Sequence, residues 1–398
     1  MRPGGAGSVH LTYCTNIHPG ETWEEIRRNL ADHVLRVKAL VSPRAPFGVG
    51  LRLSAEAART LAETNALDDL SAFLSDHDLY VFTINGFPYG RFHGTRVKED
   101  VYRPDWLQEE RLAYSDVLAH VLAALLPDGL SGSVSTVPGC YRPRAASPEA
   151  LAAVADRLIR HAATLVRLDR EHGKCVTLAL EPEPFCVLET VAETVRFFED
   201  HLFTRAASAR LAASTGLGPA ESEAALHRHL GVCLDACHAA VEFERPAEAV
   251  GALRRAGIKI AKVQVSAGLM VEPPSDAQRE ALRSFAEDVY LHQVVARRGA
   301  ALLRYPDLEE ALRDPAAASA DEWRIHFHVP LFREELGPFR NTQGFLRELL
   351  SLQAKDPVST HLEVETYTWH VLPAAFREGD VAEDVAREMR WALDALGA

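Results

Sequence analysis

Short apolar runs followed by amphipathic helical stretches recur along most of this chain, and that rhythm restricts it to folds built on a parallel sheet. The runs are "VHLTYCTN" (9–16), "FGVGLRLS" (47–54), "LYVFTINGF" (79–87), "GSVSTVPG" (132–139), "CVTLALEPEP" (175–184), "GVCLDACHA" (231–239), "IKIAKVQVSAG" (258–268), "EWRIHFHVPLF" (322–332) and "HLEVETYTWHVLP" (361–373). Helical patterns lie between them: one opens at Thr22, which has capping-box spacing to Glu25, a long Ala-rich one covers 148–171, and one closes the chain near 380–396. With no Gly-rich dinucleotide fingerprint among the turns, eight or nine such runs favour a (β/α)8 TIM barrel over an open doubly wound sheet. Two segments exceed a minimal barrel. Residues 88–110, with Tyr89, Arg91 and Phe92, read as a lid after the third strand. Residues 269–321, with a helix at 276–289 and a strand near 300–304, read as an insertion after the seventh. With no convincing linker, residues 1–398 are expected to form one domain.

The formal net charge of −13 argues against a nucleic-acid surface, which needs cations to replace phosphate counterions, and against an anionic membrane surface. No apolar run approaches the length of a membrane span, and "MRPGGAGSVH" lacks the apolar core of a signal peptide. Six scattered cysteines form neither a zinc ribbon nor a small disulfide framework. A soluble, cytoplasmic protein is expected.

In a parallel barrel the C-terminal ends of the strands converge on one open face. Read in order, those ends carry Asn16 and His18, then Asn85, Glu181, Asp235 with His238, Gln264, and finally Glu363 and Glu365; the HFH run adds His326 and His328. Singly, each has an ordinary explanation as a solvated terminus, a helix cap or a surface imidazole. Together they gather carboxylates and imidazoles in one barrel mouth, which costs repulsion and desolvation unless a cation compensates. Such donors suit Mn²⁺, Zn²⁺ or Co²⁺ better than Mg²⁺.

The order Glu, Asp-x-x-His, a polar residue, His-x-His and a last Glu resembles the xylose isomerase-like (sugar phosphate isomerase/epimerase) superfamily. The stretches "HLTYCTNIHPGETW", "INGFPYGRFHG", "KVQVSAGL" and "HLEVETYTWH" resemble, more narrowly, the EboE family of metabolite traffic proteins. The resemblance implies Glu181, Asp235 and Glu365 as metal ligands, with Glu363 in reserve. Many relatives have histidine at the end of strand seven. Here that position is Gln264, so the fourth ligand is Gln264 itself, or His326 or His328 substituting through the insertion. His238 is implied as a substrate or second-metal residue. The oligomeric state stays open, with a homodimer being the pairing that such barrels often show.

A metal-gripped hydroxy-ketone flanked by two carboxylates can isomerise or epimerise through an enediolate, which makes Glu181 and Glu365 the expected proton-transfer pair. Asn16, His18, Asn85, His93, Lys98 and His238 would bind a small polyhydroxylated metabolite, while Tyr367 and Trp369 would shield it. The alternative function is a non-catalytic metabolite binder on the same fold. An endonuclease IV-like nuclease shares the metal pattern but lacks the basic face that DNA requires.

Overall fold

The computed structural model describes residue 1 and residues 9–145, 147–377 and 379–397; most of the opening segment read for a signal peptide, residues 2–8, lies outside them. Eight parallel strands form the central sheet: β1 (His10–Tyr13), β2 (Phe47–Arg52), β3 (Leu79–Asn85), β4 (Gly132–Thr136), β5 (Val176–Leu180), β6 (Leu230–Asp235), β7 (Lys259–Val265) and a last strand, His361–Val364. The last strand pairs with both β1 and β7, and β2 through β7 follow one another around the wall. The expected (β/α)8 barrel is therefore present, and no helix among the described residues is long and apolar enough to cross a membrane.

Closure between β1 and β2 depends on a side chain. The two strands share one bridge, Cys14 to Gly50. Below it the Thr12 hydroxyl donates to the Gly48 carbonyl (2.7 Å) and accepts from the Gly50 N–H (3.0 Å), replacing ladder bonds. A Cβ on Gly50 would lie 1.9 Å from Glu363 Oε1 and 2.5 Å from the Tyr13 carbonyl, so only glycine lets the strands meet.

Local signals set the helices. Thr22 and Glu25 complete the capping box. The helix Pro148–His172 starts with Ser147 accepting from the Ala150 N–H and Pro148 at the first position, and it stops at Gly173 in the left-handed region, φ 65°. The C-terminal helix Val381–Leu396 buries Val385, Met389 and Ala392 against the barrel.

The segment between β7 and the last barrel strand builds a second sheet. Its strands are β8 (Gly268–Val271), β9 (Val294–Arg298), β10 (Ala301–Tyr305), β11 (Glu322–His328), β12 (Glu335–Leu336) and β13 (Phe339–Asn341), with the barrel's last strand then being β14. The HFH run is β11, and it pairs antiparallel with β8 and β9. This corrects the expected boundary: the insertion runs past 321 to β13, because β11 finds its partners inside the insertion. The helix expected at 276–289 is shorter, Asp276–Leu282 followed by a 3-10 turn.

Candidate active site

The barrel interior is unusually polar, and its upper end forms the site. Inward positions at spacing two carry His361, Glu363 and Glu365 on and beyond β14, and Lys262 and Gln264 on β7. Register places Gln264 beside both Asp235 and Glu363. One layer below the mouth, Lys262 Nζ meets Glu363 Oε2 at 2.5 Å, both side chains being fully buried. This settles the geometry of the two glutamates. Glu363 points into the barrel, and Glu365 lines the cavity above it.

Two carboxylates at the mouth, Glu365 and Asp235, are held by specific donors. Glu365 Oε1 accepts from Asn16 Nδ2 (2.8 Å) and Asn85 Nδ2 (2.9 Å). Asp235 caps the helix Ala236–Val241: its Oδ1 accepts from the His238 N–H (2.8 Å) and the Ser266 hydroxyl (2.9 Å). Asp235 Oδ2, Glu181 Oε2, both amide atoms of Gln264 and His328 Nε2 are buried without a hydrogen-bond partner. Burial pushes the pKa values of Glu181 and Glu365 well above the carboxylate range. Repulsion adds to this, from Glu365 and Asp235 on Glu181 and from Asp235 and Glu363 on Glu365.

Carbonyl partners fix the histidine tautomers. His328 Nδ1 lies 2.7 Å from the Glu365 carbonyl and His238 Nδ1 3.0 Å from the Pro182 carbonyl. A carbonyl only accepts, so each Nδ1 carries a proton and each Nε2 presents a lone pair. His326 Nδ1 is 2.8 Å from Gln293 Oε1, and the Gln293 amide is oriented by donating to Tyr102 Oη and to the Pro184 carbonyl. His238 Nε2 and His326 Nε2 therefore face each other at 3.0 Å with no proton between them. Burial holds both neutral, His238 down to about 4 and His326 well below its usual value. His328 Nε2 and Asp235 Oδ2 likewise face each other at 4.0 Å.

These donors fit a metal ion. Three overlapping groups, Glu181–Asp235–His238, His238–His326–His328 and Asp235–Cys237–His328, each bring ligand atoms within 4.8 Å of one another. Orphaned oxygens and facing lone pairs are what a cation would satisfy, and mixed oxygen and imidazole donors suit a transition metal. Glu365 belongs to none of the three groups.

Above these groups lies a small cavity of about 50 Å³. Asn16, Asn85, Lys98, Glu181, His238, His326 and Glu365 line it, together with residues the sequence had not singled out, among them Glu183, Tyr102 and Tyr290. Phe87, Pro88, Phe92 and Val101 from the excursion after β3 roof it. Segments of both insertions meet there: Lys98 donates to Asp307 (2.8 Å) and to the Glu287 carbonyl (2.9 Å), and Tyr290 Oη contacts His93 Nδ1 at 3.0 Å.

Other expected substrate residues are placed elsewhere. His93 Nε2 is 2.6 Å from the Asn16 carbonyl, tying the lid to the first loop. His18 contacts Tyr13 Oη (3.0 Å) and stacks on His33. Trp369 is buried beside Phe332, outside the cavity lining. Lys98 reaches the cavity with its stem, while its ammonium is committed to Asp307 and Glu287. Two residues missed in the sequence had a visible signal. Glu183 repeats the Glu-Pro unit of "EPEP", and Lys262 interrupts an apolar strand on the same face as Gln264.

No protein-family model matches the chain, and no curated protein matches it by sequence. The narrower likeness to EboE proteins has no family match behind it. Among solved structures, the chain is similar to a xylose isomerase-like TIM barrel protein from Mycobacterium smegmatis in complex with magnesium (12% identity, 100% of this chain and 98% of that one, TM-score 0.49). It is similar also to the probable 3-DHS dehydratase AsbF from Bacillus anthracis (13%, 96% and 98%, TM-score 0.45) and to the 3-keto-D-glucoside 4-epimerase YcjR from E. coli (14%, 96% and 97%, TM-score 0.42). At these identities the likeness is one of chain course, and the chemistry rests on this chain's own residues.

Proposed function

We propose that this chain is a metal-dependent isomerase or epimerase that moves a proton on a sugar-like or cyclitol-like hydroxy-ketone. The observation that carries the reading is the pairing of Glu181 and Glu365, two buried carboxylates just beyond the ends of different strands that line one roofed cavity. Burial and mutual repulsion raise the pKa values of both in the metal-free protein, and both reach the cavity where a substrate proton would be moved. Asn16 and Asn85 fix the orientation of Glu365, leaving its other oxygen for substrate. One carboxylate removes the proton next to the carbonyl, and the other returns one to the adjacent carbon or to the opposite face. Phe87, Phe92 and Tyr367 exclude water meanwhile.

A divalent ion would be held by Asp235, Glu181 and His238, with His328 in the place that Gln264 fills poorly. It would supply Lewis-acid polarisation of the substrate carbonyl. The resemblance of the quoted stretches to EboE proteins supports a small polyhydroxylated metabolite, and the six free cysteines support a cytoplasmic setting.

Solvent deuterium incorporation into a panel of ketoses and cyclitol ketones, with protein of measured metal content, tests the reading. Exchange that falls at least about a hundredfold in Glu181→Gln and in Glu365→Gln is the expected result. Exchange at the parental rate in both variants would remove the assignment. Binding without exchange would favour the metabolite carrier.

A further inference from the structure

Glu183 remains once the carboxylates near the facing lone pairs are assigned. It is 5% exposed, lines the cavity and belongs to none of the groups that fit a metal. Its Oε1 accepts from Tyr102 Oη at 2.8 Å and lies 3.7 Å from His326 Nδ1, whose proton goes to Gln293; no donor among the described residues reaches Oε2. A carboxylate buried this deeply ordinarily has a cation beside it.

Among the described residues, no side chain lining the cavity supplies one, and the groups that would hold a divalent ion do not include Glu183. Its one lysine, Lys98, has its ammonium on Asp307 and the Glu287 carbonyl. The two arginines buried nearby do not line it: Arg52 donates to the carbonyls of Gly20 and Gly90 and to Glu21, and Arg111 to those of Pro104 and Gly86. The other carboxyl groups on the wall are Glu181 and Glu365, neither of which can offset Glu183. The remaining surface is largely aromatic, with Phe87 stacked on Tyr102 at 5.8 Å and Tyr290 packed on Tyr367 at 5.3 Å. Aromatic faces and an uncompensated carboxylate attract an ammonium group and repel phosphate or carboxylate.

We infer that the substrate is an amine-bearing, unphosphorylated polyhydroxy-ketone whose ammonium group rests on Glu183 beside Tyr102. This deepens the isomerase reading and rests on it.

The test is calorimetric binding to the full-length, metal-replete protein. For each of several ketohexoses, four matched ligands are compared: the parent ketose, its 1-amino-1-deoxy and 6-amino-6-deoxy derivatives, and its 1-phosphate. At least one amino derivative should bind about tenfold or more tighter than its parent, and the phosphate should bind more weakly than either. In Glu183→Gln the advantage of the amine should collapse. Ketoses that bind and exchange deuterium with no gain from an amine would overturn this inference alone, as would an amine advantage that survives Glu183→Gln. Should no member of the series bind or exchange, the isomerase reading falls and this one with it. The comparison among ligands needs only the parent protein, so it stands even if the variant folds poorly.

Discussion

Replacing Lys262 by methionine tests how the polar barrel interior is balanced. The ammonium lies 2.5 Å from Glu363 Oε2, contacts Ser135 Oγ at 3.4 Å and has no access to solvent. Burial is the largest influence and lowers its pKa, but the Glu363 charge and hydrogen bond, with Cys233 and Cys14, together outweigh it and raise the value above that of an ordinary lysine. Methionine keeps the stem and removes the charge, which leaves Glu363 buried with an Oε1 that already lacks a partner. Removing one member of a buried ion pair costs about 3–5 kcal/mol, whereas replacing both by apolar groups of similar volume is often neutral or better. Lys262→Met should therefore lose about 3–5 kcal/mol at pH 7, and Lys262→Met/Glu363→Met should recover most of it. The assay is urea unfolding of metal-free protein, with fluorescence and circular dichroism transitions required to coincide. A single variant within about 0.5 kcal/mol of the parent, or a double variant no more stable than the single, would refute the reasoning. The Lys262 charge also pulls down the pKa values of Glu181 and Glu365, so its loss reaches the mouth as well as the interior.

The β1–β2 seam gives a second outcome. Thr12→Val removes the hydroxyl that serves the Gly48 carbonyl and the Gly50 N–H, and should cost about 1–3 kcal/mol in urea unfolding, while Thr12→Ser should retain most of the stability. A third outcome concerns pH. Glu388 accepts from the Leu331 N–H and the Thr366 hydroxyl, and burial pushes its pKa up to about 8. The folded state therefore holds this proton more tightly than the unfolded chain, where the value is about 4.3. Its contribution is fully present below that value and is lost as pH rises through about 8, by up to about 1.4 kcal/mol per unit. Glu388→Gln should flatten that part of the stability–pH curve, and an unchanged curve would contradict the assignment.

Period and punctuation in the sequence determined the strand-then-helix order, the capped helix at Thr22, and the gathering of Asn16, Asn85, Glu181 and His238 at one end of the barrel. These features are local, because inward facing follows from spacing two and strand ends follow from turn residues. Depth and distant pairing were beyond the sequence. Glu363 and Glu365 share a face, and only the stagger of the closed barrel sends one to Lys262 and the other to the cavity. The HFH run looks like a barrel strand by composition, but it pairs antiparallel with β8 and β9, a choice made by partners far away in sequence. That choice brings His326 and His328 over the mouth, where their lone pairs meet His238 and Asp235. The mouth therefore depends on two sheets whose packing against each other no local signal encodes.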